Sequence, residues 1–472
     1  MSIRPLAKGG ALGLVTLIIE KGSSLALVVA LARILSPDDY GRYSFVIAYL
    51  TLFQVLADLG LEPILLRRLS QMPERRAEWM SNALGLRILL AVVSAGIAVA
   101  LVPVAAPGAP DLRPLVAVGA AGLLFVAQPG FRALLRSELR LGDVLRVAVT
   151  TNLVLFAAVL GALWSGAGLI GVFAGIAAAH LRGFALGAWV ARSSFRFRVA
   201  VDPSVWRSLV AEAWPVGANV FVIMLGLRAA PLLLMTYRGP VEVGYLASAT
   251  RLAEALNLVA DGLMLAVFPI LARLAVANEE GLRGLSRVCA KVLGTTLLAV
   301  VLVLSVVAPD ILGLLFGAEF AAAGPALVLL SWFAVLASLG TLYANLLVAL
   351  GLQRVLFALN AVSAVLQIGL QFVLVSRYGL VGAAAGAVLG SAANHMALYL
   401  LPATRRWIRP CAHTVLPLVG LAGVLSWAGA WIPAPPWGKA VGLVVVFGAV
   451  ALLLGWVGRR DVAELRRVLA AD

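Results

Sequence analysis

Arg251, Glu254, Asn257 and Asp261 stand three or four residues apart within the otherwise apolar stretch 241–272. At about 100° of rotation per residue, Glu254 lies about 60° from Arg251 and Asp261 about 20° from Glu254, so a helix carries all four as one polar stripe. A second apolar stretch, 43–66, holds a similar stripe of Thr51, Gln54 and Asp58; it lacks a basic member because Ala48 stands where the other has Arg251. Elsewhere Glu20 and Lys21 interrupt an apolar run, and Arg228 sits between Trp214-Pro215 and Pro231. An ionisable group inside a membrane is costly unless it pairs or faces water, which makes each a candidate for function. Lys21, Arg228, Arg251, Glu254 and Asn257 are the candidate substrate ligands. The basic members favour an anion, because a guanidinium presents paired donors to phosphate or carboxylate. Glu20, Gln54, Asp58 and Asp261 are candidates for lining the same cavity or for coupling to an ion. Competing readings stay open: an Arg251–Glu254 pair that only holds helices together, Asp58 and Asp261 as hydrated anchors, and Arg87 and Arg182 snorkelling to the membrane edge. His180 and His395 read as packing or hydrogen-bonding groups, while Asn360, Gln367 and Gln371 share one helix face and line a cavity or bind helices together.

These residues need helices of membrane length to position them. Of the 472 residues, 62% are hydrophobic and 12% charged, with a mean hydropathy of +1.02, a composition that excludes a water-soluble globular protein. Spans are predicted near 11–35, 43–66, 80–105, 113–131, 146–164, 168–191, 213–237, 241–272, 288–315, 325–350, 355–376, 379–402, 413–432 and 438–457. The first span is too long for a signal peptide. Lys and Arg number 37 against 22 Asp and Glu. With a cytosolic N-terminus, some 26 of the basic residues fall in inside segments and six outside, so the excess encodes orientation, both termini cytosolic, rather than nucleic-acid binding. Every outside loop is short, the longest near 308–324, leaving no room for an external catalytic domain. Arg132–Arg146 and the tail 459–472 read as surface amphipathic helices. Cys289 and Cys411 stand far apart, with no disulfide framework and no metal-ligand spacing, and no nucleotide-binding loop or cofactor signature occurs.

The chain also repeats itself. A shift of 203 residues carries Pro37, Gly41, Ala57 and Asp58 onto Pro240, Gly244, Ala260 and Asp261, and a shift of 211 carries the Gly-Leu-x-Gly-x-x-Ala-Gly run at Gly168 onto that at Gly379. The unit is six spans, and an even unit re-enters the membrane in the same orientation, giving a parallel repeat. The expected fold is an all-α polytopic membrane protein of about fourteen helices: an N-lobe over 1–200, a C-lobe over 201–403, and a C-terminal helix pair with a cytosolic tail over 404–472. Two such lobes are the architecture of an alternating-access carrier.

The stretch Ala30-Leu-Ala-Arg-Ile-Leu-Ser-Pro-Asp-Asp-Tyr-Gly-Arg-Tyr43, continued by Leu56-Ala-Asp-Leu-Gly-Leu61, resembles the opening of Wzx-type polysaccharide flippases, members of the multidrug/oligosaccharidyl-lipid/polysaccharide exporter superfamily. The two Gly-Leu-x-Gly starts resemble that family's sixth and twelfth helices. Arg251-Leu-Ala-Glu254, and Lys21 twelve positions before Arg33, are similar to features of the related lipid II flippases, although Leu27 and Val28 stand where those carry further charge. The resemblance implies that Lys21 and Arg251 contact a lipid phosphate or pyrophosphate and that Glu254 orients Arg251. It implies a flippase for a polyprenyl-linked oligosaccharide of O-antigen or exopolysaccharide type in a bacterial inner membrane. Its partners would be membrane lipids, a polysaccharide polymerase and a chain-length regulator. The departure at Leu27 and Val28 turns the expectation away from a peptidoglycan precursor. An ion-coupled exporter of cationic drugs is the alternative within the superfamily, and a membrane glycosyltransferase is the alternative outside it.

Overall fold

Ser36 starts the first complete membrane helix: its Oγ accepts the Asp39 N–H at 3.2 Å, Pro37 fills the first turn, and Asp38 and Asp39 meet the positive end of the helix dipole. The same device recurs at Asp202, which accepts from the Ser204 and Val205 N–H groups ahead of Pro203, and at Asn278, which accepts from Gly281 N–H ahead of Glu279 and Glu280. The computed structural model describes residues 22–125, 128–194, 198–454 and 456. All regular elements among these are helical: α1 (Gly22–Ile34), α2 (Pro37–Asp58), α3 (Leu61–Gln71), α4 (Arg76–Ala105), α5 (Leu112–Ala121), α6 (Gln128–Ser137), α7 (Leu141–Trp164), α8 (Gly168–Ala191), α9 (Pro203–Tyr237), α10 (Pro240–Ala277), α11 (Glu279–Phe316), α12 (Gly324–Ala349), α13 (Gln353–Leu400), α14 (Pro402–Trp431) and α15 (Pro436–Leu453), with three short 3₁₀ turns.

Twelve helical segments among the described residues are long and apolar enough to cross a membrane. One of them, α13, merges the expected spans 355–376 and 379–402 across Gly379, whose φ of 54° and ψ of −130° interrupt it. The described part of the first expected span is α1. Burial is inverted relative to a soluble protein: on α4, Leu89, Val92, Val93 and Ile97 point outward, while Asn82 and Arg87 are enclosed.

The chain divides into two compact units, residues 1–244 and 245–472, with the boundary inside α10. In the first, Leu61, Leu65 and Leu69 of α3 pack with Trp79, Met80, Phe131, Leu134, Val205 and Leu209. In the second, Leu293, Leu297, Leu298 and Val301 of α11 pack with Leu342, Leu346, Val415, Leu418 and Phe447.

The repeat motif is a packing device. Gly168 and Gly379 both take a positive φ, 61° and 54°, where a side chain is strained. Gly175 closes onto the backbone of Ala158, and Gly386 onto that of Gln371, so each glycine run lets its helix lie tightly on the preceding one. The other repeat pair meets directly within the first unit. A Cβ on Gly41 would strike the Pro240 carbonyl, and one on Gly244 would lie 2.5 Å from the Pro37 carbonyl, a reciprocal contact between the starts of α2 and α10.

One expectation fails locally. Arg132–Arg146 is not a single surface helix: α6 ends at Ser137, Leu139 takes a φ of 57°, and α7 begins at Leu141. Phe131, Ala133, Leu134 and Leu135 are buried, because α6 uses its apolar face as core against α3 and α8.

Candidate functional site

In the second unit the α10 stripe has the predicted geometry. Ala253, Ala260 and Met264 are buried, while along the adjoining face Glu254 and Asp261 are exposed and Arg251 and Asn257 half-buried. Arg251 donates from Nη1 to Glu254 Oε2 at 3.1 Å, one turn along the helix. Within α10 this pair holds the guanidinium by one edge and leaves the group accessible. Asn257 is engaged differently: its Oδ1 accepts from the hydroxyl of Ser338 on α12 at 3.2 Å, and Ser338 is fully buried. Asn257 therefore anchors the stripe to the body of the unit, beside an exposed Asp261.

In the first unit, Gln54 is exposed on α2 and Thr51 turns its hydroxyl back to the Ile47 carbonyl at 2.7 Å. Asp58 does not stand free: Arg87 of α4 donates to it at 2.5 Å, and Arg87 is 1% exposed. Arg87 was expected to snorkel; it is instead enclosed and takes Asp58 as its partner. Nearby, Glu62 lies 3.3 Å from Arg132 and 3.4 Å from Arg136, and Glu212 of α9 pairs with both Arg67 and Arg68 of α3. α2 ends where Leu59 and Gly60 both turn to positive φ, so Asp58 sits at a break in the expected span 43–66. Arg228 is half-buried on α9, one turn before Pro231 and following buried Gly226. Lys21 and Glu20 lie outside the described residues.

Sequence reasoning missed the Asp58–Arg87 pair. The signal was available in depth: each residue stands about fourteen positions from the turn at Met72–Pro73, so both reach the same level of adjacent antiparallel helices. It also missed Asn82, whose Oδ1 accepts the Asp202 N–H at 2.8 Å and pins the start of α9 to α4. His395 is a packing residue, bonded through Nδ1 to the Ser391 carbonyl at 2.9 Å and set against Tyr343. Gln367 and Gln371 lie under Gly390 and Gly386, where they serve helix packing.

The chain resembles an inward-closed structure of the lipid II flippase MurJ, at 11% identity and a TM-score of 0.71, covering 92% of this chain and 97% of that one. It also resembles an inward-facing multidrug resistance MATE family transporter of the MOP superfamily, at 15% identity and a TM-score of 0.66, covering 84% and 96%. At these identities the likeness concerns the fold. No curated protein matches the sequence. A match to the family of polysaccharide biosynthesis proteins spans residues 6–275, more than half of the chain, and the chain belongs to that family.

Proposed function

We propose that this protein is a flippase that carries a polyprenyl-(pyro)phosphate-linked oligosaccharide from the cytosolic to the outer leaflet by alternating access, for cell-surface polysaccharide synthesis. The observation that carries the reading is the accessible Arg251–Glu254 pair on a helix long and apolar enough to cross a membrane. A cation kept accessible at membrane depth suits an anionic headgroup. Family membership supports the polysaccharide part, and the fold shared with a lipid II flippase supports lipid-linked transport.

In this reading Arg251 takes a phosphate oxygen with the guanidinium edge that Glu254 leaves open, and Lys21 and Arg228 supply further positive charge. Asn257, held by Ser338, offers its amide to the glycan. Gln54, Asp58, Glu20 and Asp261 contribute to cavity lining or coupling, with Asp58 acting through Arg87. The lipid tail stays in the bilayer while the headgroup crosses. With the inside negative, outward movement of each anionic charge gains about 2.3 kcal/mol per 100 mV.

The binding half of the proposal is tested by native mass spectrometry of the full-length protein offered a polyprenyl-pyrophosphate-linked glycan. The expected result is one glycolipid bound by the wild type and lost in Arg251→Ala. A wild type that binds none, or an Arg251→Ala variant that binds equally, overturns it.

A further inference from the structure

Away from the α10 stripe, a cavity of about 330 Å³ lies inside the first unit, between α6, α7 and α8. Four polar side chains line it: Arg132, Thr151, Asn152 and His180. Their hydrogen-bonding capacity is largely unused. Thr151 is 9% exposed, and its hydroxyl, fully enclosed, has no partner among the described residues. The contrast with its neighbour is direct, since Thr150 bonds back to the Arg146 carbonyl at 2.7 Å. Neither Asn152 nor His180 makes a hydrogen bond to the described residues. Arg132 meets Glu62 through Nε at 3.3 Å, which leaves its two terminal nitrogens unengaged by the described residues. The enclosed Thr151 hydroxyl costs free energy until something bonds to it, and the half-buried Arg132, Asn152 and His180 beside it add unused hydrogen-bonding capacity, so the cavity calls for a polar occupant.

The rest of the lining defines that occupant. Phe131, Val144, Val147 and Leu155 form apolar walls, and both α7 and α8 are long and apolar enough to cross a membrane. From Val144 to Leu155 the cavity follows α7 for roughly 16 Å, the length of a lipid headgroup, its ester region and the start of its chains. The charged group among its lining residues is the Arg132 guanidinium, which meets the Glu62 carboxylate through Nε.

We propose that this cavity binds one anionic glycerophospholipid. Its phosphate lies on the free edge of Arg132, and its glycerol and ester oxygens accept from Thr151, Asn152 and His180. The site is separate from the transport reading and stands or falls without it.

The experiment uses delipidated full-length protein and native mass spectrometry with phosphatidylglycerol. One tightly held lipid is expected, with its affinity lowered about tenfold or more by Arg132→Gln and by Asn152→Leu. Arg136→Gln is the control, because Arg136 shares Glu62 at 3.4 Å but does not line the cavity, and it should leave binding within about twofold. Should Arg132→Gln reduce folded yield, Asn152→Leu and Thr151→Val carry the comparison alone. Equal lipid retention in all variants overturns the proposal. Displacement of the lipid by millimolar inorganic phosphate overturns it in favour of a free anion. Absence of any retained lipid, with Thr151→Val stabilising the protein, overturns it in favour of water.

Discussion

Asp58 and Arg87 illustrate what a charge inside a membrane protein requires. Arg87 is enclosed, and Asp58 is the carboxylate that offsets it, so Asp58→Ala leaves a buried cation and is expected to cost about 3 kcal/mol or more. Thermal unfolding in detergent should show a large loss for Asp58→Ala and substantial recovery in Asp58→Ala/Arg87→Met; additive losses would contradict the pairing. Asp202 works outside the membrane. Hydrogen bonds from the Ser204 hydroxyl and the Ser204 and Val205 N–H groups hold its carboxyl below the ordinary carboxylate range. A depressed folded-state value gives stability that is present above the unfolded value near 3.8 and is lost as pH falls through the folded one. The wild type should therefore lose its advantage over Asp202→Asn on acidification below about pH 4, and a pH-independent difference between their melting temperatures would contradict this. The polar stripe of α10 was legible because helical periodicity alone places Arg251, Glu254, Asn257 and Asp261 on one face. Ser338 and Arg87 as partners were not, since a contact between helices depends on packing that periodicity along one helix does not specify.

Among the elements, the glycine runs at Gly168 and Gly379 set how close consecutive helices lie. Gly382 sits so near the Leu374 carbonyl that a Cβ cannot fit, whereas Gly262, inside α10, has open space around it. Gly382→Ala is expected to lower the yield and melting temperature of folded protein. Gly262→Ala is expected to be neutral or stabilising by about 0.5–1 kcal/mol, because it removes only the flexibility of a glycine in mid-helix. The opposite ranking in a thermal-shift measurement would contradict the packing account. Helix positions were readable from hydropathy because a bilayer demands about twenty apolar residues per crossing. The break at Leu59–Gly60 and the division of 132–146 into two helices were not, since both answer to tertiary contacts: Gly60 abuts Gly217 of α9, and α6 buries Phe131 and Leu134. The Gly-Leu-x-Gly repeat was visible as self-similarity, but only the backbone showed that its first glycine adopts a positive φ in both copies.

For the molecule as a whole, the composition reads as membrane, the repeat as two related six-span units, and the family as polysaccharide biosynthesis. On the flippase proposal, what the protein moves depends on a few charges in a chain that is only 12% charged, which is why substrate class is harder to read than fold. In the proposed mechanism Arg251 guides an anionic glycolipid across the bilayer. The most direct test of that role is translocation in proteoliposomes carrying a fluorescent polyprenyl-pyrophosphate-linked glycan, followed by quenching of outer-leaflet label. Wild-type protein should expose the inner pool to the quencher within the assay, and Arg251→Ala, reconstituted in equal amount, should behave like protein-free liposomes. Wild-type liposomes that match protein-free ones, or an Arg251→Ala variant that translocates at the wild-type rate, would contradict it.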